Sequence, residues 1–253
     1  MSSEVTKYLE RIGYEGTIEV NLNTLSKLQE CHLKRVPFEN FDIINRKPIS
    51  LDVEQLYQKI VCNNRGGFCF ELNALFGSLL RELGFRVTDY IARFWRYEEN
   101  LPPMRQHHVL KVKINGKFYI CDVGVGVNSP LKPIEMIEGL VQNDGHTSYK
   151  LVKDYYFGWI LFEKEEDQWH KLYSFTEEPQ LPKDFIMPSY WCENSDDSIF
   201  KNTVRVAIRT NYGINTILGS DFRVSTSEGI KTFVPKTDEE YNNALKEYFN
   251  IVL

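Results

Sequence analysis

The amino-acid sequence predicts an α+β fold in which helices come first, strands follow and one helix closes the chain. Three observations predict it. Apolar residues recur at helical spacing up to about residue 84. Short β-rich runs punctuated by Asn, Asp, Gly and Pro take over from Phe85. A capping box then precedes a last amphipathic segment. Elements segregated in this way argue against a parallel sheet built from βαβ units.

The elements follow in order. Leu22, Leu25, Leu28, Leu33 and Val36 mark a first helix that stops at Pro37. Asp52 caps a second, carrying Val53, Leu56, Tyr57, Ile60 and Val61. Leu72, Leu75, Phe76, Leu79, Leu80 and Leu83 form the apolar stripe of a third, which Gly84 ends. Three helices are therefore expected to pack ahead of Phe85. The strand-like runs are FRVTDYIARFW, HHVLKVKI, KFYICDVGV, YYFGWILFE and WHKLYSF. Thr237 and Glu240 frame the start of the closing helix, whose apolar positions are Tyr241, Leu245 and Tyr248. There is no internal repeat and no low-complexity linker.

A chain of 253 residues, 42% hydrophobic and 26% charged, is an ordinary globular composition able to bury a sizeable core. The start, MSSEVTKYLERIGYEG, lacks an apolar leader, and no run approaches the roughly 18–20 apolar residues a membrane helix needs. A cytosolic location is expected. A formal charge of -5 argues against nucleic acid or an anionic membrane as the main partner, while leaving room for a small anion held by a local cluster of donors. The five cysteines are scattered, with neither CxxC pairs nor Cys/His ligand spacing, so no metal site and no disulfide framework is expected.

One of those thiols stands out. Cys69 follows Arg65-Gly66-Gly67 at the mouth of the third helix. Two glycines permit a sharp turn through angles that other residues avoid, and the first helical turn offers free N–H groups and the positive end of the helix dipole. That environment lowers a thiol's pKa, and Arg65 adds a nearby cation. Cys69 also continues the apolar stripe three positions before Leu72, so packing and nucleophilic chemistry both remain open. A nucleophile needs a base, and the base needs an orienting group.

The hairpin supplies candidates for both. Asn115-Gly116 between HHVLKVKI and KFYICDV is a strong two-residue turn signal. Pairing Ile114 with Lys117 sets Leu110 opposite Cys121 and Val109 opposite Asp122. Side chains alternate between faces, so His107, Val109, Phe118, Ile120 and Asp122 share one face. His108 joins the apolar face with Leu110, Val112 and Cys121. His107 and Asp122 are diagonal neighbours about 7–8 Å apart at Cα, within side-chain reach. The register selects His107 over His108 as base and Asp122 as its orienter. His32, His146 and His170 read as structural or surface residues.

These residues resemble a known family. RGGFCFE is similar to the Arg-Gly-Gly-x-Cys-x-Glu nucleophile motif of the arylamine N-acetyltransferases. VPFENF (residues 36–41) resembles that family's upstream segment, and HHVLKVKINGKFYICDVGVG resembles its hairpin from His to Asp-Val/Ala-Gly-x-Gly. The likeness runs from about residue 5 to about residue 135, and beyond that only the overall plan and a segment near Phe200 match.

The resemblance implies a helical first domain over residues 1–84, a β-barrel second domain over 85–190 and an α/β lid over 191–253, around a Cys-His-Asp core like that of cysteine proteases. It implies Cys69 as acyl acceptor, His107 as base and Asp122 as orienter, with Glu39 a structural partner of the Arg65 loop. Phe38, Val125 and Phe200 would line the acceptor pocket, Val125 standing where many members carry an aromatic residue. Gly124 and Gly126 would let the coenzyme approach the backbone, and the loop before His107 would flank its path. Acetyl-CoA is then a cosubstrate, with no permanently bound cofactor, and the acceptor is an arylamine, arylhydroxylamine or hydrazine. The same residues would also serve an amide synthase that closes an acyl chain onto an aromatic amine, or a cysteine peptidase or transglutaminase-like enzyme. A non-catalytic module for aromatic ligands, using the 13% aromatic residues, is a reading from a different class.

Overall fold

The computed structural model describes residues 2–95 and 101–253. The helical part opens with α1 (Ser3–Ile12), capped by the Ser2 hydroxyl accepting from the Val5 N–H and ended by Gly13 at φ +65°. Its apolar side, Val5, Tyr8, Leu9 and Ile12, is buried. Then come α2 (Leu22–Arg35), β1 (Phe38–Glu39), α3 (Phe41–Ile44), α4 (Val53–Tyr57) and α5 (Cys69–Glu82). Five α-helices thus stand where three were expected. The spacing of α1 is as regular as that of α2, but most of its residues are polar, and α3 is a single turn. Asp52 caps α4 as anticipated, accepting from the Gln55 N–H. The helix then widens into a π turn over Gln58–Cys62 and does not run evenly to Val61. Gly84, at φ +91°, follows the α5 C-cap residue Leu83.

The strands form two antiparallel sheets. The first comprises β2 (Arg86–Phe94), β3 (Arg105–Ile114), β4 (Lys117–Cys121), β5 (Ile134–Glu135), β6 (Gln142–Asn143), β7 (Ser148–Asp154), β8 (Gly158–Glu165) and β9 (Gln168–Phe175). Their order is β5-β4-β3-β2-β9-β8-β7-β6, an eight-stranded sheet curled into a nearly closed barrel. Tyr155 and Tyr156, counted with β8 from their aromatic character, lie in the exposed turn before it. Next come α6 (Ile186–Asn194) and α7 (Ile199–Asn202), so the expected break after residue 190 falls inside α6.

The second sheet contains β10 (Arg205–Thr210), β11 (Gly213–Leu218), β12 (Asp221–Thr226) and β13 (Gly229–Phe233), with α8 (Asp238–Phe249) packed on it. Its outer strand is β1, from the helical part, paired through Phe38↔Ala207 and Glu39↔Val206. The Thr237 hydroxyl accepts from the Glu240 N–H, but the Glu240 carboxylate takes the Lys236 N–H, so only half of the capping box forms.

The β3–β4 hairpin has the anticipated register, Ile114↔Lys117 through Leu110↔Cys121. Leu110, Val112, Ile114, Tyr119, Cys121 and Val123 pack into the core shared with α1, α2 and α5. Val109 and Ile120, on the other face, belong to the barrel interior with Tyr90, Tyr149 and Leu172. Both faces are therefore buried at the end of the hairpin that holds His107, His108 and Asp122, while Lys113 and Phe118 near the turn are exposed. No helix among the described residues is long and apolar enough to cross a membrane.

Candidate active site

The segment leading into α5 is built by close backbone approach. Glu39 N–H donates to the Gly67 carbonyl at 2.9 Å, and β1 runs alongside Arg65-Gly66-Gly67. A Cβ on Gly66 would collide with the Pro37 carbonyl oxygen, and one on Gly67 would lie 2.8 Å from the Glu71 carboxylate. Neither glycine has a positive φ. Space, and not backbone angle, is what this turn demands of them, which corrects the sequence-based reason.

Arg65 is turned away from the thiol. Its guanidinium bonds the Glu39 carboxylate, 0% exposed, at 2.8 Å and Asp42 at 3.0 Å. Lys59 Nζ completes the cluster, 2.7 Å from both Asp42 and Glu71. Glu71 also caps α5, accepting from the Phe68 N–H at 3.1 Å. Three carboxylates share two cations, and burial pushes the Glu71 carboxyl up to about 7 despite Lys59.

Cys69 is buried at the start of α5, beside Phe68, Phe70, Phe185 and Cys192, with Phe38 and Phe200 packed against the same cluster. Its thiol is not the lowered one expected at a helix mouth. Burial holds its pKa well above the ordinary thiol value, the Cys192 sulfur and the Asp122 carboxylate add to that, and the N–H groups of His108 and Phe70 oppose it. Burial outweighs those two hydrogen bonds.

The hairpin brings its two candidates together. His107 Nε2 and Asp122 Oδ2 are 2.6 Å apart, with the two side chains 4% and 1% exposed. Phe94 and Tyr173 flank the imidazole at 5.9 and 5.4 Å between ring centroids. His108 points to the other face, bonding Asp89 through Nε2 at 2.9 Å and stacking on Phe185 at 4.1 Å. Just before His107, β3 is bulged against β2. Ala92 pairs with His107 and Arg93 with Arg105, leaving Gln106 as the extra residue. The bulge turns the Gln106 carbonyl to within 3.8 Å of Cys69 Sγ and its side-chain oxygen to 4.0 Å from Cys192 Sγ.

Asn73, which sequence reasoning passed over, clamps these pieces together. It sits one turn beyond Cys69 and donates through Nδ2 to the His108 carbonyl at 2.7 Å and to Asp122 Oδ1 at 2.9 Å. Its Oδ1 accepts from the Val123 N–H at 3.0 Å. The signal available in the sequence was an amide at helical spacing between Cys69 and Phe76 on the apolar stripe, and in the structure it is fully buried.

The loop after Asp122 closes the site. A Cβ on Gly124 would lie 2.7 Å from the Cys69 Cα, so only glycine admits this approach. Gly126, at φ +78°, packs against the Phe38 ring. Phe200, on α7, lies 6.1 Å from both Phe38 and Phe68 between ring centroids. Val125 is partly buried and packs against the barrel cluster that includes Tyr173. The loop is anchored from the second sheet by Arg209, which donates to the Val127 and Ser129 carbonyls at 3.2 Å.

A family model described as N-acetyltransferase matches residues 21–253. The chain is 32% identical over 256 residues to an arylamine N-acetyltransferase of Mycobacterium tuberculosis, covering 99% of this chain and 90% of that protein. Among solved structures, the arylamine N-acetyltransferase of Salmonella typhimurium superposes with a TM-score of 0.94 at 26% identity, over 99% of this chain and 92% of that one. The Mycobacterium marinum enzyme in complex with CoA gives a TM-score of 0.89 at 29% identity, over 98% and 92% of the two chains.

Proposed function

The chain belongs to the arylamine N-acetyltransferase family and is an acyltransferase, and from that premise we propose that Cys69, His107 and Asp122 carry acetyl from acetyl-CoA to an aromatic amine or hydrazine in two half-reactions. The observation that supports this most is the buried His107–Asp122 bond at 2.6 Å, beside a bulged residue whose carbonyl touches the Cys69 sulfur.

Asp122 occupies Nε2 of His107, so Nδ1 is the ring nitrogen left to exchange protons with sulfur or amine. A thiol whose pKa is raised by burial needs a base to take its proton, and in this reading His107 is that base. The Cys69 thiolate then attacks the thioester carbonyl. The tetrahedral adduct collapses, the C–S bond to the coenzyme breaks, and the proton on His107 leaves with CoA. In the second half-reaction the amine nitrogen attacks the acetyl-Cys69 carbonyl and His107 takes its proton. The C–S bond breaks, and the Cys69 sulfur recovers that proton as the amide departs. Asp122 stabilises the imidazolium in both passages. The acceptor would sit between Phe38, Phe200 and the 122–126 loop, with Val125 on the barrel side of that loop.

Incubation with acetyl-CoA, followed by intact mass and peptide mapping, tests the reading. One acetyl group on Cys69 and free CoA in solution are expected. Acetyl on Cys31, Cys62, Cys121 or Cys192 with none on Cys69 would overturn it. His107→Ala should abolish transfer, whereas His108→Ala should chiefly lower stability.

A further inference from the structure

Near the turn of the β3–β4 hairpin, cations gather at a cleft remote from Cys69. Arg86 and Lys113 are directly paired across β2 and β3, and Lys113 is paired in turn with Phe118 on β4. The three side chains therefore stand in one row on one face. Thr88 and Lys111 make the next row. With Arg81, from the last turn of α5, these residues line a cleft of about 490 Å³. Lys113 is six residues along β3 from His107, about 20 Å of strand, so the cleft is separate from the His107–Asp122 pair.

Four cations line this cleft, and two of them are answered. Arg81 pairs with Asp89, and Lys111 with Glu177 at 3.1 Å. Arg86 and Lys113 make no ion pair among the described residues, although directly opposed like charges destabilise a sheet. Residues 96–100 join the opposite ends of these strands. Arg86 is nine residues from Trp95, about 30 Å of strand, whereas residue 98 is within about 10 Å of chain of either Trp95 or Leu101. Carboxylates in that segment are out of reach of this pair. The Lys111 and Lys113 ammonium groups sit 4.8 and 5.5 Å from the Phe118 ring centroid, which holds both cations at the cleft. Phe118 is itself 39% exposed. In a protein of net charge -5 this local excess runs against the overall sign.

Two unanswered positive charges match a dianion, and an exposed ring beside them offers an apolar rest for a flat group. We infer that this cleft binds a phosphate monoester of a small aromatic compound, with the phosphate between Arg86 and Lys113 and the ring against Phe118. A phosphate monoester carries about -1.5 to -2 near neutral pH and presents three oxygens to the guanidinium fork and the ammonium group. A carboxylate or a sulfate monoester supplies only one charge. The volume falls in the range of small-molecule sites.

Calorimetry on the full chain with phenyl phosphate, inorganic phosphate and phenyl sulfate tests this. Phenyl phosphate should bind at one site per chain at pH 7.5, and Arg86→Gln and Lys113→Gln should each weaken it about tenfold. Phenyl sulfate, of the same shape but singly charged, should bind about tenfold more weakly. Lowering the pH to 5.0 should weaken phenyl phosphate and spare phenyl sulfate, because the second phosphate proton returns near pH 6. The ring should make phenyl phosphate bind about threefold to tenfold tighter than inorganic phosphate, and Phe118→Ala should remove that difference. A difference that survives Phe118→Ala would overturn the aromatic half of the proposal. The whole proposal fails if phenyl phosphate shows no saturable binding, if the Arg86→Gln, Lys113→Gln double variant binds it equally well, or if sulfate matches phosphate at pH 7.5. Heparin binding without phenyl phosphate binding would make this a surface for a polyanionic macromolecule, and would overturn it too.

Discussion

At Cys69 two opposing influences meet, and their relative size decides how the thiol is used. The helix mouth contributes N–H groups and a dipole effect worth about 0.3–1 kcal/mol in exposed settings. Burying an ionisable group shifts its pKa by up to about 3–5 units, several times more. The sulfur is buried among aromatic rings, with the Asp122 carboxylate and another thiol nearby, and its pKa stands well above the ordinary value. On the mechanism proposed above, the nucleophile forms when a proton moves from Cys69 to His107. Removing the base should consequently expose the raised thiol pKa. Alkylation of Cys69 by iodoacetamide, followed against pH in His107→Ala, should shift to higher pH by one unit or more relative to the wild type. Superimposed profiles would show that His107 does not govern the proton on Cys69.

The helix α5 illustrates how one element serves two tasks. Its apolar stripe joins the helical core to the hairpin, while Glu71 and Asn73, from the same first two turns, tie its start to the Arg65 loop and to Asp122. Glu71 has a titration consequence. Its pKa in the folded protein, about 7, lies above the ordinary 4.5, so the folded state holds this proton more tightly than the unfolded chain. The contribution to stability is fully present below about pH 4.5 and is lost as pH rises through about 7. A shift of this size corresponds to about 3 kcal/mol across that window. Glu71→Gln keeps an acceptor for the Phe68 N–H and removes the titration. Urea denaturation of both proteins between pH 4.5 and 7.5 should show the wild type losing stability relative to the variant as pH rises. Parallel curves would place the titrating proton elsewhere.

Across the whole molecule the site is an assembly of parts distant in the chain. The proposed nucleophile, Cys69, comes from the helical part, the His107–Asp122 pair from the barrel hairpin, and Phe200, which packs against the same cluster as Cys69, from the segment before the second sheet. Asn40 joins the first and last of these. Only 2% exposed, it donates to the Phe200 carbonyl at 2.6 Å and the Thr203 carbonyl at 2.8 Å, and accepts from the Arg205 N–H at 2.7 Å. Asn40→Ala leaves those three backbone groups without their partner, at a cost of about 2–4 kcal/mol. A Tm lowered by about 5–10 °C is expected in a chain of this size, with faster amide exchange across residues 199–205. An unchanged Tm would mean that water or a shifted backbone replaces the amide at no cost.

The sequence by itself determined that helices precede the barrel strands and one helix closes the chain, the hairpin register, and hence that His107 and Asp122 share a face while His108 does not. These follow from local rules, a two-residue turn and strict alternation along a strand, that operate over a few residues. It also marked Cys69 as the thiol to examine. Only the tertiary structure decided the electrostatic state of that thiol, because desolvation depends on what packs around a group and not on its neighbours in the chain. The direction of Arg65, the clamp at Asn73 and the Gln106 bulge were likewise settled by contacts among α5, the hairpin and β1. The β-bulge at Gln106 has no turn residue to announce it, since the extra residue is defined only by how β3 pairs with β2.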